Sequence, residues 1–124
     1  MEFDILSNKV IGCAIEVHKN LGPGLLESAY ERCLSYELSN AGIRHEVQKQ
    51  LPIKYKGLEL DCGYRMDLLI EDILVVELKS VDVIKDIYKA QLLTYMKLAN
   101  VKIGLLLNFN SKRLNKEAIQ RFVL

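Results

Sequence analysis

Three charged residues interrupt the apolar strands of a predicted hairpin near the middle of the chain. The run is MDLLIEDILVVELKS, from Met66 to Ser80, and the charged residues are Asp67, Glu77 and Lys79. Charges in apolar surroundings need partners, since burying an unpaired charge costs several kcal/mol. If the two carboxylates converge, their repulsion favours a cation between them, and oxygen ligands of this kind suit Mg²⁺ or Mn²⁺.

A lysine beside a pair of carboxylates adds a further chemical capacity. Lys79 could act on an attacking water, or stabilise the negative charge that develops on a phosphate. This combination favours hydrolysis of a phosphodiester bond. The alternative is an ordinary ion pair, which would join Glu77 to Lys79 or Asp67 to Arg65.

Whether Asp67 and Glu77 meet depends on the turn that joins their strands. Side chains alternate between the faces of a strand, so Glu77 and Lys79 point the same way. A two-residue turn at Glu71-Asp72 would pair Asp67 with Val76 and place the acids on opposite faces. A three-residue loop or a bulge would pair Asp67 directly with Glu77. If the acids act together, we predict such a loop or bulge.

Two further pairs of polar side chains share helix faces. Glu27 and Tyr30 are three residues apart in GLLESAY, and Gln91 and Tyr95 are four apart in AQLLTYM. Glu27 also has an ordinary explanation, because the helix dipole favours a negative charge in the first turn of a helix. Gln91 and Tyr95 fit an ordinary helix–sheet interface with polar tips in water equally well.

Hydrophobic periodicity predicts three helices that position these residues. Helical spacing occurs in DILSNKVIGCAIEVHKN, and LGPG must end this helix. A second helix is predicted from about Leu25 to Ala41, with Gly42 as its C-terminal cap. A third is predicted from about Val83 to Ala99, with Asp82 as its N-cap.

Strand patterns fill the rest of the chain. The segment HEVQKQLPIKYKG has a half-buried pattern with Val47, Leu51, Ile53 and Tyr55 on one face, and LELD follows a turn. The segments YRMDLLI, ILVVELK and VKIGLLLNF are apolar on both faces, as in covered strands. The tail LNKEAIQRFVL holds a short helix, a final strand or both. The order α-α-β-β-β-β-α-β predicts a single α/β domain over residues 1–124, with a mixed β-sheet flanked by helices.

Composition excludes several classes of protein. No apolar run reaches the ~18 residues of a membrane span, and the N-terminus lacks the basic region of a secretory signal. The net charge of +1 leaves nucleic-acid binding to local patches. Cys13, Cys33 and Cys62 are widely spaced, which predicts reduced thiols and a cytoplasmic location. With His18 and His45 they match no zinc-binding spacing.

Taken together, these motifs resemble those of a known group of enzymes. Asp67, Glu77-Leu78-Lys79 and Gln91-Leu92-Leu93-Thr94-Tyr95 resemble the motifs of the PD-(D/E)XK nuclease superfamily, the last being similar to the QxxxY motif of its exonuclease-type branch. Gly24-Leu25-Leu26-Glu27-Ser28-Ala29-Tyr30 resembles the signature of the GxxExxY family, which is placed in that superfamily. The residue before Asp67 is Met66, where the superfamily motif has Pro.

The resemblance implies a restriction-endonuclease-like core and a divalent metal, Mg²⁺ or Mn²⁺. The implied metal ligands are Asp67, Glu77, the Leu78 carbonyl and Glu27, the last directly or through water. Lys79 would act on the attacking water or the scissile phosphate.

The resemblance also implies residues that bind substrate. Gln91 and Tyr95 would orient the substrate or the Lys79 side chain, and Tyr30 joins them as a substrate-binding residue. The eight candidate contacts to nucleic acid are basic residues: Lys49, Lys54, Lys56, Lys85, Lys89, Lys112, Arg113 and Lys116.

Three functions are therefore in view. The first is a metal-dependent nuclease acting on DNA, and the presence of Asp67, Glu77 and Lys79 together favours it. The second is a nuclease-like module that binds nucleic acid or protein without cutting. The third is a structural dimer subunit whose polar hairpin is a buried network of ion pairs. Because one small protomer offers limited surface to a duplex, we also expect a homodimer.

Overall fold

The computed structural model describes residues 3–124 of the chain. Three helices and seven strands follow in the order α1 (Ile5–Leu21), α2 (Glu27–Asn40), β1 (His45–Gln50), β2 (Ile53–Tyr55), β3 (Leu58–Leu60), β4 (Arg65–Ile70), β5 (Leu74–Lys79), α3 (Asp86–Ala99), β6 (Ile103–Asn108) and β7 (Ile119–Val123). None of the helices within these residues is long and apolar enough to cross a membrane.

Five of the strands form one mixed sheet, in the order β1-β4-β5-β6-β7. Strands β5 and β6 are parallel, and the other neighbours are antiparallel. Parallel neighbours need a crossover connection, which α3 provides. Strands β2 and β3 form a separate two-stranded hairpin. The predicted α/β class with a mixed sheet is confirmed.

Helices cover both faces of the sheet. The central strands therefore bury alternate residues in two separate cores. On one side, α1 and α2 pack against residues such as Leu68, Val76 and Leu105. On the other side, α3 packs against residues such as Val75 and Leu106. Burial on both faces explains why these strands read as continuous apolar runs.

The first predicted strand is divided in two. Strand β1 ends at Gln50, since Pro52 has no N–H to donate to a neighbouring strand. Val47 and Tyr55 are exposed while Leu51 is buried, so the predicted half-buried pattern holds only in part. Strand β1 is an edge strand of the large sheet, and β2 belongs to the separate hairpin. Five strands, not four, therefore lie between α2 and α3.

The ends of the helices agree only partly with prediction. Gly42 follows α2 with φ of +72°; its N–H donates to the Ser39 carbonyl, and the Ile43 N–H donates to the Leu38 carbonyl. This bonding is a glycine-dependent helix end, as predicted. The predicted N-cap at Asp82 is wrong, because α3 begins at Asp86 and the Asp82 carboxylate accepts from Asn110 instead. In the tail, the structure has strand β7 and no helix within the described residues.

Gly104 sets the distance between β6 and α3. A Cβ atom at this position would lie 2.5 Å from Met96 Sδ and 3.2 Å from a methyl group of Leu92. We expect Gly104→Ala to destabilise the protein by about 1–3 kcal/mol, because the buried side chains of Met96 and Leu92 must move to relieve the overpacking. Chemical denaturation measures the change. Gly12→Ala is the control, since its Cβ meets nothing within 4 Å and alanine favours a helix; equal stability of the two variants would contradict this account.

Candidate functional site

A three-residue loop joins β4 to β5. Ile70 lies opposite Leu74, and the Ile73 N–H donates to the Ile70 carbonyl at 3.0 Å. Glu71 and Asp72 adopt positive φ values of 51° and 58°. The odd-numbered loop that we predicted for a working pair of acids is therefore present.

This register brings Asp67 and Glu77 together. The backbone pairing of the hairpin ends at Leu68 and Val76, and the next two residues along the strands are the acids. The Asp67 N–H donates to Glu77 Oε2 at 2.7 Å, and the Leu78 N–H donates to Asp67 Oδ2 at 2.9 Å. At the end of the ladder, the two carboxylates thus accept the hydrogen bonds of backbone N–H groups, as backbone carbonyls do elsewhere in a sheet.

Both acids resist ionisation. Glu77 is only 5% exposed. Burial, reinforced by the charge of Asp67, raises the pKa of Glu77 to about 8. Burial also raises the pKa of Asp67, although the Leu78 N–H and the Gln48 amide oppose this by favouring the charged form. A cation beside the pair would remove the repulsion and favour both carboxylates.

No ion pair supplies that cation. Within residues 3–124, none of the ion pairs includes Asp67, Glu77, Lys79 or Arg65. The ammonium of Lys79 lies 4.6 Å from the centre of the Tyr88 ring on α3, a cation–π contact. The alternative of an ordinary ion pair in the hairpin is therefore not what the structure has.

Glu27 reaches the same end of the sheet from α2. It is the first residue of that helix, and its Oε2 accepts from the Ser80 N–H at 3.3 Å. The Ser80 hydroxyl donates to the Leu25 carbonyl at 2.7 Å. These bonds tie the end of β5 to the start of α2, and the charge of Glu27 contributes to the raised pKa of Asp67.

Gln91 and Tyr95 approach from α3. Gln91 Nε2 donates to the Tyr95 hydroxyl at 3.1 Å. Burial, followed by the negative charge of Glu77, raises the pKa of Tyr95. Tyr95 therefore lies near the acids while it also packs in the core beneath α3, so the site and the helix–sheet interface coincide here.

Tyr30 does not join this group. Its side chain is completely buried and its ring stacks on Phe109, with 4.5 Å between the ring centres. Its hydroxyl donates to the Gly22 carbonyl and accepts from the Leu25 N–H. Tyr30 has no exposed atom with which to bind substrate, and its position corrects that expectation: it holds the turn between α1 and α2.

Three residues near the acids were missed in the sequence. Gln48 on β1 donates from Nε2 to Asp67 Oδ1 at 3.1 Å and to Glu31 Oε2 at 2.6 Å, and Tyr88 contacts Lys79. Glu31 lies four residues after Glu27, so helical spacing could have identified it. No local signal points to Gln48, because its partners come from distant segments.

The donor atoms fit one hydrated divalent cation. Among the described residues, no three His, Cys, Asp or Glu side chains converge as a metal-binding group. The adjacent carboxylates are those of Asp67 and Glu77, and each binds a backbone N–H through one oxygen. Mg²⁺ commonly uses one or two carboxylates and keeps several waters. Two carboxylate oxygens completed by water would form a set of that chemistry, and the Leu78 carbonyl stays a predicted ligand.

Three of the eight predicted basic residues have partners within the described part of the protein. Lys49 pairs with Glu46 at 3.0 Å, Lys89 approaches Asp86 at 3.8 Å, and Lys56 lies over the Tyr55 ring. The loop after β6 carries the last three, Lys112, Arg113 and Lys116.

The pKa of Glu77 predicts how stability depends on pH without divalent metal. Its ordinary pKa of 4.5 applies to the unfolded chain, and its folded pKa is about 8. Between these values the unfolded chain is ionised while the folded protein keeps its proton, so each rise in pH favours unfolding. We expect the Tm in chelator to fall from pH 5 to pH 8, and Glu77→Gln to flatten this dependence.

Thermal melting across that pH range checks the expectation. Glu59→Gln is the control, because Glu59 lies on the fully exposed strand β3. Parallel curves of Tm against pH for the wild type and Glu77→Gln would contradict it.

The comparisons with known proteins agree with the geometry. The sequence matches the family model described as PD-(D/E)XK nuclease superfamily over residues 4–122. No curated protein and no solved structure gives a significant match. The matched residues include the hairpin acids, the lysine beside them and every helix and strand from α1 to β6. The chain belongs to the PD-(D/E)XK nuclease superfamily.

Proposed function

We propose that this protein is a divalent-metal-dependent nuclease that hydrolyses phosphodiester bonds in DNA. One observation carries the proposal: Asp67 and Glu77 are adjacent, substantially buried and without an ion-pair partner in the part of the chain that the structure describes. Such a pair is costly for the folded protein unless a cation binds. Membership of the superfamily supplies the reaction class.

In this proposal, Asp67, Glu77 and the Leu78 carbonyl hold Mg²⁺ or Mn²⁺. When bound, the metal neutralises the carboxylates and acts as a Lewis acid toward the phosphate. Lys79 lies on the same face of β5 as Glu77, and its ammonium donates hydrogen bonds to the attacking water or to the phosphate. The ammonium contacts the Tyr88 ring and forms no ion pair in the described part of the chain, so its donors remain available.

Residues from two helices complete the proposed site. Glu27 would bind the metal through water, since its Oε2 already accepts a hydrogen bond from the Ser80 N–H. Gln91 and Tyr95 would orient the substrate, with the Gln91 amide setting the direction of the Tyr95 hydroxyl.

We also propose that the chain is a member of the GxxExxY family. The turn Gly24-Leu25-Leu26 precedes Glu27, and Gly24 has φ of +96°, a conformation that favours glycine. The Tyr30 hydroxyl donates to the Gly22 carbonyl before this turn and accepts from the Leu25 N–H within it. Gly24 and Tyr30 therefore fix the turn from which Glu27 extends, and this gives the spacing of the GxxExxY motif a physical reason.

Cleavage of a mixed panel of single-stranded and duplex DNA, with RNA for comparison, tests the proposed activity. We expect cutting with Mg²⁺ or Mn²⁺ and none in chelator. Asp67→Asn and Lys79→Met should each reduce kcat by about 100-fold or more, because each removes an electrostatic contribution at the reacting phosphate. Asp61→Asn and Lys102→Met are the matched controls, since both residues are exposed and neither is a candidate contact to metal or nucleic acid.

Loss of activity in the controls as well as in the site variants would contradict the assignment. If the wild type cuts no substrate and calorimetry detects no Mn²⁺ binding, the nuclease is excluded and the chain is a nuclease-like binding module.

The contact between Lys79 and Tyr88 gives a separate prediction. We expect Tyr88→Leu to lower kcat several-fold with little change in KM, because a cation–π contact of about 0.5–2 kcal/mol no longer holds the ammonium. Tyr88→Phe keeps the ring face and should retain near-normal kcat. Tyr55→Leu is the control, since Tyr55 forms the same kind of contact with Lys56 at 5.5 Å. Equal kcat values for Tyr88→Leu and Tyr88→Phe would rule out this role.

A further inference from the structure

Gln48 occupies an unusual position on the edge strand. The pairing of β1 with β4 places it opposite Asp67, yet these two residues do not pair, although Val47 with Leu68 and Lys49 with Met66 do. Gln48 has φ of +52°, the left-handed region that a residue with a side chain rarely adopts inside a strand. The ladder is thus interrupted at the residue that faces the candidate metal ligand.

Strand β4 is distorted at the same point. Met66 and Leu68 are two residues apart and would share a face in a regular strand. Leu68 instead packs in the core beneath α1 and α2, and Met66 packs in the core beneath α3. The strand therefore turns about its axis at Asp67. Both partner strands depart from regular geometry where the amide and the carboxylate meet.

One nitrogen of Gln48 bonds to two acids. Nε2 carries two hydrogens, and its partners are Asp67 Oδ1 at 3.1 Å and Glu31 Oε2 at 2.6 Å. The other oxygen of Asp67 accepts from the Leu78 N–H at 2.9 Å. The carboxylate of Asp67 is consequently held from both neighbouring strands, by β1 through Gln48 and by β5 through Leu78.

We propose that Gln48 is a positioning residue that holds the Asp67 carboxylate in its metal-binding orientation and joins Glu31 to the site. This inference rests on the proposed function. A neutral amide suits the role, because it donates to two acids without adding a charge. A lysine in its place would form the ion pair that the site lacks, and a glutamate would repel both carboxylates.

Gln48→Gly separates this role from a merely structural one. Glycine accepts the positive φ of residue 48 without strain, so the variant loses the amide while the backbone keeps its conformation. Gln50→Ala is the matched control, because Gln50 lies on the same strand and donates to the exposed Asp61 at 3.0 Å.

Two measurements report on the orientation of the Asp67 carboxylate. In metal-free protein, hydrogen exchange of the Leu78 N–H reports its bond to Asp67 Oδ2. With Mn²⁺ alone as the probe, calorimetry gives the dissociation constant. For Gln48→Gly we expect faster exchange at Leu78, with the neighbouring Val76 unchanged, and about tenfold weaker Mn²⁺ binding, the usual effect of losing a group that orients a metal ligand. Gln50→Ala should match the wild type in both.

The outcomes separate this inference from the proposed function. If the wild type binds Mn²⁺, Asp67→Asn abolishes binding and Gln48→Gly binds as well as the wild type, Gln48 has no positioning role while the metal site stands. If the wild type binds no Mn²⁺, the metal site fails and this inference fails with it. Weaker binding by Gln48→Gly, with thermal stability equal to or above that of the wild type, supports the inference, because a structural defect would lower both.

Discussion

The candidate site depends on the register of one hairpin. The three-residue loop after Ile70 pairs Asp67 with Glu77, and a turn shorter by one residue would send these side chains to opposite faces of the sheet. Arg44, which precedes β1, forms ion pairs with two residues of this loop, Glu71 at 3.3 Å and Asp72 at 2.8 Å. A surface turn therefore decides whether the two acids meet at the far end of the strands.

Once paired, the acids carry an electrostatic cost that the fold does not remove. Their carboxylates accept backbone N–H groups, which fixes their positions without supplying positive charge. Burial keeps the pKa of Glu77 near 8, so ionisation at neutral pH opposes folding in the absence of a cation. The proposed affinity for a divalent metal and the reduced stability expected of the metal-free protein have the same physical origin. Local strain and unpaired charge often accompany functional sites for this reason.

The layered fold brings the remaining groups to the hairpin. Helices α1 and α2 cover one face and deliver Glu27 and Glu31, while α3 covers the other and delivers Tyr88, Gln91 and Tyr95. The crossover through α3 is required by the parallel pairing of β5 with β6. A sheet covered on both faces thus brings Glu27 and Glu31 to the strand ends from one layer, and the aromatic partner of Lys79 from the other.

The sequence by itself determined the α/β class, the three helices, the covered central strands and the residues of the hairpin, because hydrophobic period and turn residues are local properties. It left open the register of the hairpin, and it misplaced the N-cap of α3 and the burial of β1, since both depend on neighbours distant in the chain. Tyr30 shared a helix face with Glu27, and only packing against Phe109 showed that it belongs to the core. Only the tertiary structure decided that Gln48 lies against Asp67, because that contact joins two strands through side chains and leaves no pattern in either segment.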